Sequence, residues 1–227
     1  MKSIETTETL TVAEGLVASP TPPAEAESPA AESVAAPDVK ASWKPIIREI
    51  LETVVLAVAI WVVVNFTTAR FIVEGSSMEP NFHTGQMLIV SRLAYQLGGA
   101  PQRGDVIVFQ YPGNLTDDYI KRIIGLPGDA VEVQDGKVSV NGVQLTEPYI
   151  SAEAGFEGRP GRWTVPADNF FVMGDNRAHS SDSRTWGLLP IKDIIGKAWV
   201  SYWPPQEWGI IKHYRVKNVP AGTAGKP

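Results

Sequence analysis

The stretch FIVEGSSMEPNF, Phe71 to Phe82, places two adjacent serines between a short apolar run and a Met-Glu-Pro turn. Gly75 and Pro80 bracket Ser76 and Ser77, so the backbone there departs from ordinary strand or helix. A serine hydroxyl becomes a nucleophile only with a base within hydrogen-bond reach. The chain has three histidines, His83, His179 and His213, and His179, in a polar loop, is the first to consider. The elbow pattern G-x-S-x-G is not met, because Glu79 fills its last position. Neither Ser-x-x-Lys nor His-Glu-x-x-His occurs, which removes the penicillin-binding and zinc-peptidase types of site. The absence of cysteine removes thiol nucleophiles, disulfides and cysteine metal sites. No cofactor and no metal is expected.

Lysine is the other base to weigh. It is protonated in water and must lose its hydration, or sit near positive charge, to act near neutral pH. Lys121, in DDYIKRIIGLPGD, is the best placed. If Tyr119 to Ile124 is a strand, alternation puts Lys121 on one face with Tyr119 and Ile123, and Arg122 on the other with Ile120 and Ile124. An ammonium between an aromatic ring and an isoleucine on an inward face loses solvation. The plainer alternative is a lysine snorkelling from a half-exposed strand. A third polar segment, MGDNRAHSSDSRTWGLLP, follows the apolar run NFFV directly. Loops of this composition on a rigid sheet usually position function.

The elements that must hold these residues can be read in outline. Residues 1–42 are rich in Ala, Glu, Pro, Ser and Thr and contain no aromatic residue, so a disordered tail is expected. The 17 residues from Thr53 to Ala69 carry no charge, and Val, Ile, Leu and Trp cover every helical face. At ~1.5 Å per residue they reach roughly 25 Å, the short end of a membrane span. One anchoring helix over 43–70 is expected. Lys40, Lys44 and Arg48 before the span, against Arg70 after it, put the N-terminus in the cytoplasm and the remainder outside.

Seven of the 25 acidic and two of the 20 basic residues fall within 1–42, leaving the rest balanced at 18 of each sign. Nothing there favours nucleic acid as a partner. Beyond residue 70, short β-rich runs are punctuated by Asp135-Gly136 and Asn141-Gly142, which are two-residue hairpin signals. Pro127-Gly128 suits a type II turn, and 151–162 reads as a loop. The expectation is a mostly β domain over 71–208 and a fraying C-terminal tail over 209–227.

GSSMEP, RGDVIVF, YIKRIIGLPGD and GDNRAHSSDSR occur in this order behind a single membrane span. Together they resemble the boxes of bacterial type I signal peptidase, over roughly residues 43–204. The resemblance implies a membrane-anchored serine endopeptidase with a Ser–Lys dyad on a β-barrel or sandwich-like catalytic domain. It cleaves signal peptides from exported preproteins after a small-x-small motif.

On that basis Ser77 is the nucleophile, since Met78, Glu79 and Pro80 follow it, and Lys121 is the general base. Ser180 orients Lys121, while Arg122, Asp175, Asp182 and Arg184 support the site, with Arg122 a partner for Asp175. Some members place a hydroxyl two residues before the nucleophile. Gly75 stands there in this chain, so either a backbone N–H or Ser76 completes the oxyanion site. Phe71, Ile72, Val73 and Glu74 form the edge on which an extended substrate pairs.

The implied partners are preproteins and the lipid bilayer, in a bacterial plasma membrane or a thylakoid-type membrane. Any cap between the Lys121 and Asp175 boxes should be small. The alternatives are an anchored β-domain that only binds a partner, a Ser–His hydrolase using His179, and the self-cleaving Ser–Lys repressors. The last need a DNA-binding head, which residues 1–70 do not offer.

Overall fold

The computed structural model describes residues 43–151, 160–215 and 219–220. The tail expected over 1–42 and most of the loop expected over 151–162 lie outside them. The chain divides into two compact units, 1–45 and 46–227, and of the first only Trp43–Pro45 is described.

Helix α1 (Trp43–Thr67) has 25 residues and none is buried. At ~1.5 Å per residue it is roughly 37 Å long, sufficient to cross a hydrocarbon core of ~30 Å. Among the described residues it is the one helix long and apolar enough to do so. The helix ends at Thr67, three residues earlier than expected. The Thr67 and Thr68 hydroxyls donate back to the Val64 carbonyl. The chain then goes straight into strand β1 (Thr68–Ile72). Tertiary pairing decides that boundary, because β1 runs antiparallel to β2 (Met87–Ser91), Thr68 opposite Ser91 and Ile72 opposite Met87.

The remaining strands are β3 (Val106–Tyr111), β4 (Asn114–Gly125), β5 (Ala130–Gln134), β6 (Lys137–Val140), β7 (Val143–Gln144), β8 (Gly161–Thr164), β9 (Asn169–Met173), β10 (Leu189–Pro190), β11 (Ile194–Trp203) and β12 (Gly209–Ile210). The short helix α2 (Ser183–Trp186) lies between β9 and β10. An eight-stranded sheet has the order β1-β2-β11-β3-β4-β9-β10, with β12 on β11. A second sheet, β7-β6-β5-β8, fills the interval between the Lys121 and Asp175 segments.

The mostly β expectation therefore holds, with both sheets antiparallel. Both hairpins form on their Asp-Gly and Asn-Gly pairs, with positive φ at Asp135, Gly136, Asn141 and Gly142. Gly128, at φ 89°, closes the Pro127 turn by letting Asp129 N–H reach the Leu126 carbonyl at 3.0 Å.

Three apolar clusters hold the sheets. Val73, Met78, Phe82, Leu88, Val106, Ala198 and Ile211 form the one beneath the serine turn. Ile107, Phe109, Ile123, Phe170, Val172 and Leu189 form the second, and Val131, Val140, Tyr149, Phe171 and their neighbours the third.

The segment after Trp208 does not fray over its described residues, contrary to expectation. Ile211 N–H donates to the Trp199 carbonyl at 2.9 Å, and Asn141 Nδ2 donates to the Pro220 carbonyl at 2.9 Å. Backbone pairing and burial of Ile211 outweigh the loop-like composition. Gly104, at φ 91°, passes directly beneath this segment, and a Cβ there would overlap the Tyr214 carbonyl. Gly104→Ala should therefore cost about 2–4 kcal/mol, from backbone strain plus steric overlap. Thermal unfolding in detergent measures it, and an unchanged midpoint would mean the segment is not seated there.

Candidate active site

Ser77 sits in a turn fixed from below by two buried apolar side chains, Met78 and Phe82. Phe82 N–H donates to the Met78 carbonyl at 3.1 Å, and Glu79 N–H donates to that of Ser76 at 3.2 Å. Asn176 holds the same turn from the side. Its N–H donates to the Ser77 carbonyl at 3.0 Å and its Nδ2 to the Ser76 carbonyl at 3.1 Å. The backbone of Ser77 is thus pinned while its side chain stays at the groove wall.

Lys121 lies on β4 opposite Ile107 of β3, and the alternation read from the sequence is observed. Its Nζ donates to Ser77 Oγ at 2.7 Å and to the Ile120 carbonyl at 2.9 Å. The Tyr119 ring centroid is 5.3 Å from Nζ. Lys121 is 4% exposed, and burial pushes its pKa from 10.5 down to about 8, against the opposing pull of Asp182 and then Asp175. A buried amine with a lowered pKa touches a serine hydroxyl.

The two acids that oppose this shift are each neutralised by an arginine. Arg122 Nε and Nη2 donate to the two Asp175 oxygens at 2.8 and 2.7 Å, with both residues buried. The same carboxylate accepts from Asn81 Nδ2 at 2.9 Å. Asp182 caps α2, accepts from Gly174 N–H at 3.0 Å, and takes Arg184 Nε and Nη2 at 2.8 Å each. The expected pairing of Arg122 with Asp175 is present.

Ser180 departs from expectation. Its Oγ is buried and makes no hydrogen bond, so the expected bond to Lys121 is not formed. Gly174 explains the crowding there, because a Cβ on it would overlap both Ser180 Oγ and the Ser77 carbonyl. His179 lines the groove, but among the described residues its hydrogen bond runs from its backbone N–H to Asn176 Oδ1, at 3.3 Å, and its ring makes none to Ser77. His83 lies 3.9 Å from both Glu79 and Glu207, and His213, within the C-terminal segment, accepts from Val106 N–H at 3.2 Å.

The dyad opens onto a groove of about 680 Å³ lined by Phe71 to Ser77 on one side and Asp117 to Lys121 on the other. Val73 spends both backbone groups on the β2 side, with Gln86 at 2.8 Å and Gly85 at 2.9 Å. Alternation then turns the backbone groups of Ile72 and Glu74 toward the groove. Facing them, β4 is covered by β9 only from Arg122 onward, so its edge over Asp117–Lys121 is open. Sequence reasoning missed Asn81, Asn176 and this second edge. Asn176 was within reach, since it stands inside the same polar box as Asp175.

The family description "Signal peptidase, peptidase S26" matches residues 46–203. The chain belongs to that family. "Probable signal peptidase I-2" of Synechocystis sp. is 39% identical over 175 residues, covering 75% of this chain and 78% of the relative. "Signal peptidase I" of Leptolyngbya laminosa is 39% identical over 198 residues, covering 84% and 93%. A solved signal peptidase I from Enterococcus faecalis is 35% identical, covers 43% of this chain and 96% of its own, and has a TM-score of 0.39. The resemblance read from the four boxes is borne out, and with α1 in front the signal peptidase is a membrane-anchored serine peptidase.

Two expectations follow from the packing. Gly174→Ala should lower turnover more than tenfold, because the overlap displaces the Ser77 carbonyl; peptide cleavage rates measure it, and wild-type turnover would refute the crowding. Lys121→Met should raise the unfolding midpoint at pH 7. The native pKa of about 8 lies below the unfolded 10.5, so burying the ammonium costs at most about 3 kcal/mol below pH 8. The variant's advantage should shrink between pH 8 and 10.5, as native Lys121 sheds its proton. A Lys121→Met midpoint below wild type at pH 7 would contradict this.

Proposed function

We propose that this signal peptidase cleaves signal peptides from exported preproteins with Ser77 as nucleophile and Lys121 as general base. The observation that carries the assignment is the 2.7 Å hydrogen bond between Lys121 Nζ and Ser77 Oγ, at a lysine with depressed pKa. Neutral Lys121 takes the hydroxyl proton as Oγ attacks the scissile carbonyl. The resulting ammonium then protonates the leaving amine as the peptide bond breaks. Water, deprotonated by Lys121, hydrolyses the acyl-enzyme and frees Ser77. The Ser77 N–H, which meets no acceptor among the described residues, stabilises the oxyanion, a contribution typically worth ~3–4 kcal/mol.

The substrate enters as an extended strand between two open edges, the Ile72–Glu74 backbone and β4 over Asp117–Lys121. The shallow wall of Phe71, Ile72 and Val73 suits small side chains before the cut, as an A-x-A cleavage site presents. Arg122, Asp175, Asp182 and Arg184 keep the acids near Lys121 paired, and Gly75 and Ser76 complete the oxyanion turn. Ser180 Oγ, buried without a hydrogen-bond partner beside Gly174, is the hydroxyl assigned to orienting the lysine during turnover.

Lys40, Lys44 and Arg48, on the N-terminal side of the uncharged span, favour a cytoplasmic N-terminus and an extracytoplasmic catalytic domain. Exposed Trp199, Trp203, Trp208 and Ile210 near the β11–β12 ladder suit a membrane–water boundary. Cleavage of an A-x-A signal substrate in detergent tests the dyad. Ser77→Ala and Lys121→Ala should lose more than a thousandfold in kcat, while His179→Ala should keep activity. Wild-type kcat/KM should rise with pH up to about 8 and then level, since neutral Lys121 is the active form. A fully active Lys121→Ala variant, or loss of activity in His179→Ala alone, would overturn the assignment.

A further inference from the structure

Arg122 neutralises Asp175, and something must hold Arg122. Its Nη1 donates to the Gly104 carbonyl at 2.9 Å, and its guanidinium lies 4.2 Å from the Tyr149 ring centroid. A second ring, Tyr214, stands 5.4 Å from the same guanidinium and 5.4 Å from Tyr149. Tyr214 belongs to the segment after β12, which composition alone marks as a tail.

That segment is seated at several points. Ile211 is buried in the cluster that also holds Met78, beside the nucleophile. Val106 N–H, where β11 has left β3, donates to His213 Nδ1 at 3.2 Å. The Tyr214 carbonyl passes over Gly104, and Val219 packs against the cluster around Tyr149.

We infer that the C-terminal segment is a catalytic strap, and that Tyr214 is a positioning residue that holds Arg122 on Asp175. Tyr214 touches neither substrate nor the dyad. It acts through Arg122, which pairs both oxygens of Asp175, an acid that pulls the Lys121 pKa upward. Two aromatic faces with a guanidinium against them fix it without hydrogen-bonding its N–H groups, leaving those for Asp175 and Gly104. Loosening the strap frees Arg122 from Asp175 and leaves that carboxylate uncompensated. Lys121 then holds its proton to higher pH.

The inference rests on Lys121 being the base, so the test carries Ser77→Ala and Lys121→Ala as parallel controls. If either control stays active, the dyad reading fails, whatever Tyr214 does. With the controls inactive, the full chain in detergent is compared as wild type, Tyr214→Ala, Tyr214→Leu and Tyr214→Phe. Readouts are kcat, KM and the pH profile on a signal-peptide substrate, with thermal unfolding alongside. Tyr214→Ala and Tyr214→Leu should lower kcat about tenfold at pH 7, leave KM within twofold, and move the acidic limb to higher pH. Tyr214→Phe, which keeps the ring, should restore both. Tyr214→Leu fills most of the volume and carries the test if the alanine variant does not fold. A folded Tyr214→Leu with wild-type kcat and an unmoved limb overturns the proposal, as does a Tyr214→Phe as impaired as Tyr214→Leu.

Discussion

The structure turns on keeping one amine dry. Under the proposed mechanism Lys121 must be buried to serve as a base, yet Asp182 and Asp175 stand close enough to pull on its proton. Unpaired, those buried carboxylates would pull harder on its proton. Each is instead held in a two-pronged grip by its own arginine, Arg184 on Asp182 and Arg122 on Asp175. The geometry suits guanidinium, because a lysine could not fill both oxygens of either acid at once. The acids remain useful after neutralisation. Asp182 fixes the Gly174 N–H, and Asp175 fixes Asn81.

Strand β4 carries most of this arrangement in consecutive residues. The two-residue period sends Lys121 to the groove and Arg122 to the opposite, buried face. The same strand changes its neighbour at Arg122, where β9 begins to pair with it. Upstream its edge is free and faces the groove, and downstream it is sealed into the sheet. Lys121, Arg122 and the open edge of β4 therefore have a fixed spacing, set by backbone geometry and not by flexible loops. The loop that follows β9 then returns Asn176 to the Ser76 and Ser77 carbonyls, closing the site between two rigid strands.

Much of this was legible beforehand because it depended on local pattern. Alternation around Lys121, the Asp-Gly and Asn-Gly turns, and the uncharged span before residue 68 each reflect a short-range rule. What failed to show depended on partners distant in sequence. Thr68 to Arg70 continue a helical pattern, and only β2, some twenty residues on, pulls them into a strand. Residues 209–215 look like a tail, and only β11 and Gly104 make them part of the fold. The expected bond from Ser180 to Lys121 is missing for a similar reason. Gly174 brings the Ser77 carbonyl and Ser180 Oγ against one another, a proximity that no spacing in the chain announces.

Gly75 sets the backbone that leads into the serine turn. At φ 80° it occupies a conformation that residues with a Cβ rarely adopt, while the space around it is open. A hydroxyl at that position would fit by volume but would strain the backbone. The site thus has no room in its conformation, as opposed to its space, for a side-chain donor two residues before Ser77. Under the proposed mechanism Gly75 then offers the oxyanion no side-chain donor, and the Ser77 N–H has its direction set by the orientation of its peptide plane. A backbone donor is as good as the rigidity of its turn. That gives physical sense to the double grip of Asn176 on the Ser76 and Ser77 carbonyls: it holds still the peptide planes that carry the donors.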